Sequence, residues 1–267
     1  MTKRRPISRP PVFIYIGAIF GVLYIFLPLV SLLRKISWGS LMSQLTDGPT
    51  LSALRLSLVT SIAATVLALI LGLPLAWVLA RVSFRGSYLV RAFVMLPMVL
   101  PPVVGGVALL AAYGKSNGLV GALLFDSFGV QLTFSPVGVV IAEAFVALPF
   151  LVMAVEGGLR AIDSRYEELA STMGANEITK FYRVTLRLLR PSLVAGIAVA
   201  WARALGEFGA TITFAGNIQG RTQTTPLAVY LLLESDPQAA YSLSFVLLIV
   251  CILVLISMRD RWLGSKR

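Results

Sequence analysis

Six apolar segments, each long enough to cross the roughly 30 Å hydrocarbon layer of a bilayer as a helix, leave this chain few ways to fold. They lie at 12–33, 56–79, 89–113, 137–159, 192–215 and 239–258. Lipid offers no hydrogen bonds, so a spanning backbone must satisfy its own, and runs of this length do so as helices. The expected fold is all-α: a polytopic membrane protein with six transmembrane helices, in which 1–267 form a single transmembrane domain. Composition agrees, with 57% hydrophobic and 13% charged residues and a mean hydropathy of +0.86. Soluble domains carry about a quarter charged residues. The first segment, 22 residues long, exceeds the apolar stretch of a cleaved signal and reads as a retained span.

Charge orients the spans. Seventeen basic residues fall on one side of the membrane: Lys3, Arg4, Arg5 and Arg9 before the first span, Arg81, Arg85 and Arg91 after the second, Arg160, Arg165, Lys180, Arg183, Arg187 and Arg190 after the fourth, and Arg259, Arg261, Lys266 and Arg267 at the end. Five lie on the other side, Arg34, Lys35, Arg55, Lys115 and Arg221, and Arg203 sits inside a span. By the positive-inside rule both termini and the loop 160–191 belong in the cytoplasm. The net charge of +11 is thereby explained by topology, and nucleic acid is not an expected partner. With one cysteine, Cys251, and no histidine, neither an intrachain disulfide nor a Cys/His metal site is available.

The stretch 163–191 is the longest polar interruption. Ser164-x-x-Glu167 reads as a capping box that starts a helix, and Gly174 as its end. Tyr166, Leu169, Ala170 and Met173 share one face of that helix, which is too short to fold without a surface to dock on. Asn176 is placed to cap a second helix, in which Lys180, Arg183, Arg187 and Arg190 form a basic stripe suited to lipid phosphates.

Within the membrane, LPMVLPPVVGG puts Pro97, Pro101, Pro102, Gly105 and Gly106 in the middle of the third span. Prolines free carbonyls that lipid does not satisfy, so the span is expected to be broken and to face protein or a water-filled cavity; a kinked packing helix is the plainer alternative. Glu143 lies in the fourth span. Arg203 and Glu207, four apart in the fifth, are expected to be paired or wet.

Hydrolytic chemistry has no visible basis. Gly114-Lys115-Ser116 resembles the end of a phosphate-binding loop, but position 109, where the loop's first glycine belongs, is leucine. A Ser/His/Asp set is excluded without histidine, so no catalytic residue is expected.

Glu168-Leu169-Ala170, followed after three residues by Gly174 and after nine more by Val184, Thr185 and Leu186, resembles the EAA loop of binding-protein-dependent ABC importer permeases. Leu169, Val184 and Arg187 depart from the family's alanine, isoleucine and proline. Beyond the loop, LPMVLPPVVGG, FVALPF and RALGEFGATITFAGNIQGRTQTTPLAVY are similar to the molybdate branch of the molybdate/sulfate permeases. The resemblance implies a permease subunit of an ATP-driven importer for molybdate or tungstate in a prokaryotic plasma membrane, with sulfate as the alternative substrate. It implies a second permease copy, two cytoplasmic ATPase subunits that hold the ATP and magnesium, and an external oxyanion-binding protein. The chain itself is then no enzyme and binds no cofactor. Glu167, Glu168, Ala170, Met173 and Gly174 would couple to the ATPase. Pro101, Pro102, Arg203, Glu207, Thr211, Thr213 and Asn217 would line the gate or pathway, where hydroxyls and amides suit passing anions better than a deep cation. For Arg203 a structural pair with Glu207 or Glu143 is the favoured reading. The competing classes are a secondary transporter, for which no inverted repeat or midplane carboxylate pair is evident, and a channel, for which no filter-like loop is seen.

Overall fold

A computed structural model of the protein describes residues 11–263, without the side chains of 255 and 257–263. Lys3, Arg4, Arg5, Arg9, Arg259, Arg261, Lys266 and Arg267, on which the expected placement of the termini rests, lie outside the described side chains. Among the described residues every regular element is helical. In chain order they are α1 (Val12–Lys35), α2 (Leu41–Thr46), α3 (Gly48–Arg81), α4 (Ser87–Val99), α5 (Pro102–Tyr113), α6 (Gly121–Phe128) and α7 (Pro136–Ala161). There follow α8 (Arg165–Thr172), α9 (Glu177–Lys180), a π-helical turn (Phe181–Thr185), α10 (Leu186–Leu205), α11 (Gly209–Phe214), α12 (Thr225–Ser235) and α13 (Pro237–Leu263).

Five helical stretches are long and apolar enough to cross a membrane: Val12–Lys35, Gly48–Arg81, Pro136–Ala161, Glu177–Leu205 and Pro237–Val254. The third expected span is different. Its halves, α4 and α5, meet at a bend of 119°, far beyond a kinked rod. Leu100 and Pro101 each precede a proline and are held extended, at ψ 138° and 132°, which stops one helix and starts the next.

The buried centre is α7. Ser135 opens it by accepting from the Gly138 amide at 3.1 Å, with Pro136 in the first turn where no donor is needed. Its Leu151, Val152, Val155 and Leu159 are fully enclosed between α3 and α10. Small residues permit that closeness: a Cβ at Gly158 would stand 2.5 Å from Ser192 Cβ, and one at Gly196 2.9 Å from Ala154 Cβ. By contrast, no residue of α1 is buried within the chain.

One expectation needs correction. The fifth span, expected at 192–215, is helical from Glu177 to Leu205 and then breaks, with α11 a separate short helix. The break lets α11 approach α5 so closely that a Cβ at Gly209 would lie 2.6 Å from Pro102 Cβ, and one at Gly106 2.6 Å from Thr213 Cβ. The segment 216–238, between the expected fifth and sixth spans, contains α12. This helix is anchored inward, its Thr225 amide donating to Ser57 Oγ at 2.6 Å and its Thr225 hydroxyl to the Ala53 carbonyl at 3.3 Å.

Candidate functional site

The segment between α7 and α10 is built from its end signals. α8 ends in a Schellman turn: the Ala175 amide donates to the Ala170 carbonyl, the Gly174 amide to that of Ser171, and Gly174 takes φ +81°. Asn176 Oδ1 then accepts from the Thr179 amide at 2.8 Å and starts α9. The expected capping box does not form. Ser164 is itself helical in backbone and its hydroxyl caps nothing, while Asp163 Oδ1 accepts from the Arg165 amide at 3.0 Å. Glu167 is drawn elsewhere, to Arg81 Nη2 at 3.2 Å and the Thr185 hydroxyl at 2.7 Å.

α8 thus presents two unlike sides. Glu167 is turned into the chain. Glu168 is exposed and has no side-chain partner among the described residues, Ala170 is half-buried and Gly174 exposed. Tyr166, Leu169 and Met173, the apolar face read from the sequence, are 55%, 60% and 87% exposed among the described residues. The basic stripe loses one member, because Lys180 pairs with Glu177 and donates to Ser171 Oγ. Arg183, Arg187 and Arg190 stay exposed along one groove with Leu193 and Val194. At the adjacent end of α7, Glu156 is buried and accepts from both Arg91 and Arg160, and Arg160 also donates to the Leu79 carbonyl at 2.9 Å.

The candidate pathway residues gather around α5 and α11. Pro102 meets Gly209, and Thr213 meets Gly106, across the close approach of these two helices. Pro101 is exposed at the α4–α5 corner. Arg203 Nη2 reaches Glu207 Oε2 at 2.7 Å, and the other carboxylate oxygen accepts from the Ala210 amide at 2.9 Å. Glu207, 1% exposed, therefore joins the end of α10 to the start of α11, where the helix's free amides favour a negative charge. Glu143 takes no part in that pair; its Oε1 lies 3.0 Å from Thr60 Oγ1. Thr211 Oγ1, Asn217 Oδ1 and Thr224 Oγ1 are buried polar atoms with no partner among the described residues. Thr224 was not marked by the sequence, where it sits in a run of threonines with no distinguishing pattern.

Residues 70–264 match the family described as "Binding-protein-dependent transport system inner membrane component". The chain is 45% identical over 251 residues, 94% of each chain, to the molybdenum transport system permease protein ModB of Mycobacterium tuberculosis. It is 36% identical over 243 residues to the sulfate transport system permease protein CysT of Escherichia coli, covering 90% of this chain and 87% of that one. Among solved structures, a bacterial ABC transporter involved in importing the acidic polysaccharide alginate superposes with a TM-score of 0.73 at 15% identity, over 96% of this chain and 95% of that one. The methionine ABC transporter MetNI, in an inward-facing form, gives 0.62 at 16% identity over 83% of this chain and all of its own. At these identities the likeness is one of fold.

Proposed function

Because the chain belongs to the family of binding-protein-dependent transport system inner membrane components, we propose that it is the permease of an ATP-driven molybdate importer. The carrying observation is the uncovered face of α8, whose Tyr166, Leu169 and Met173 are left exposed by the described residues. An eight-residue helix does not keep its place alone. An ATPase subunit docked over Leu169, Ala170 and Met173, with Glu168 at the groove edge, supplies the missing surface. Gly174 gives that partner close approach. A second copy of the permease meets this one along surfaces such as α1, none of whose residues is buried by the described chain, and an outer binding protein delivers the anion. The ATP and magnesium belong to the ATPase, and both termini with the segment 160–191 lie in the cytoplasm.

Pro101 and Pro102, at the bend between α4 and α5, form the gate together with Thr213 on α11. Unpartnered oxygens at Thr211 and Asn217 provide weak, successive hydrogen bonds for a divalent oxyanion, which must leave as readily as it enters. Arg203 is held by Glu207 and so does not trap it. Molybdate is favoured over sulfate by the 45% identity to a molybdenum permease against 36% to a sulfate permease. Competition decides the substrate: in vesicles holding the full importer, unlabelled molybdate should abolish labelled molybdate uptake and equal sulfate should leave most of it. Equal competition by sulfate would make this a general oxyanion permease.

A further inference from the structure

The last turns of α3 grip the polar segment at two points. Trp77 and Arg81 are four apart and therefore on one face of α3. The Trp77 ring stands edge-on to Phe181 of the π-helical turn, centroids 5.1 Å apart. Arg81 reaches Glu167 of α8, and the same carboxylate oxygen accepts from Thr185, the last residue of the π-helical turn. Three elements distant in sequence converge on one oxygen.

This junction is shielded. The Arg81 and Glu167 side chains are 22% and 24% exposed, and Thr185 is 1% exposed. A partly enclosed pair with a second hydrogen bond is worth more than an exposed one. The π-helical turn serves it: an extra residue in the ladder changes the register, here with the Thr185 hydroxyl turned inward beneath α8. Beyond this junction, the side-chain hydrogen bond that ties α8 to α9 is the one between Ser171 and Lys180, at the far end of α8.

We propose that Glu167 is the positioning residue of the coupling element: with Arg81 and Thr185 it fixes α8 to α3 and to the start of α10. Displacement of α8 by a docked ATPase then moves both spans at once, while the neighbouring Glu168 stays free for the partner. The proposal rests on the ATPase-docking reading of α8.

The test uses the assembled importer in vesicles, with two readouts kept apart: affinity for the ATPase subunit, and molybdate moved per ATP hydrolysed. Glu167→Gln and Arg81→Gln should leave affinity within about two-fold and lower transport per ATP by about five- to ten-fold, the range of coupling losses along such networks. The exchanged pair Arg81→Glu with Glu167→Arg should recover at least half of the loss. Thr185→Val, which removes one hydrogen bond and strands no charge, should lower the same ratio by about two-fold, and it keeps the test decisive where the charge variants do not fold. Affinity falling in step with transport would overturn the proposal, since Glu167 would then touch the ATPase directly. Unchanged transport per ATP in Glu167→Gln or Thr185→Val would overturn it too. A wild-type chain that binds no ATPase overturns the docking reading, and this proposal with it, and the affinity readout alone identifies that case.

Discussion

Arg203 and Glu207 show how far one pair of residues was readable. Their spacing of four suggested a shared helical face, and the pair does form at 2.7 Å, although α10 ends between them at Leu205. What the spacing could not disclose is the second use of Glu207, as acceptor for the Ala210 amide. Glu207→Gln keeps an acceptor there but strands the arginine, and should cost about 2–3 kcal/mol of stability in detergent, seen as a lower melting temperature with uptake lost in parallel. Arg203→Lys retains charge without the forked donors and should lose less of both. Unchanged melting with abolished uptake in Arg203→Lys would instead put the arginine on the oxyanion's route. Gly106 and Gly209 make a sharper contrast. An added methyl at either must displace Thr213 or Pro102 from 2.6 Å, so Gly106→Ala or Gly209→Ala should separate α5 from α11 and abolish uptake. At Gly157 a Cβ meets nothing within 4 Å, and Gly157→Ala should melt no lower than wild type.

Among the elements, helix ends with local causes were legible and those with distant causes were not. The glycine stop of α8 and the Asn176 cap of α9 are decided by neighbouring backbone, and both stand as read. The capping box failed because Arg81, 86 residues away, and Thr185 outcompete the Ser164 amide for the Glu167 carboxylate. For the same reason α12 was missed, since its anchor is Ser57, 168 residues earlier. The broken third span was announced by its prolines; its 119° bend depends on the packing of α5 against α11. Gly174 allows a test of α8 as a docking element. Its φ of +81° strains any L side chain, by roughly 1–2 kcal/mol for leucine, while no heavy atom lies near its missing Cβ. Gly174→Leu should therefore weaken ATPase binding with the membrane fold intact, and Gly174→Asn, which tolerates this conformation, should retain much more of it. Equal binding by wild type and Gly174→Leu would remove α8 from the coupling path.

For the molecule as a whole, hydropathy alone marked the stretches that fold as long apolar helices, the broken third and the shifted fifth apart, because lipid imposes a length and a composition on a spanning helix. Which helices are central was not legible: α7 is enclosed and α1 bare, yet both are apolar enough to cross a membrane. The orientation carries its own test, in a Cys251→Ser background. Ser171→Cys on α8 and Ser116→Cys beyond α5 should react with an impermeant thiol reagent from opposite faces of sealed vesicles. Reaction from one face would overturn the topology. A chain that conducts molybdate only while an ATPase drives it through α8 is tested most directly by labelled molybdate accumulation in sealed vesicles, with and without the ATPase subunit. Accumulation that requires the ATPase, ATP and the outer binding protein together is the predicted result; accumulation by the permease alone, driven by an ion gradient or by the molybdate gradient itself, would contradict it.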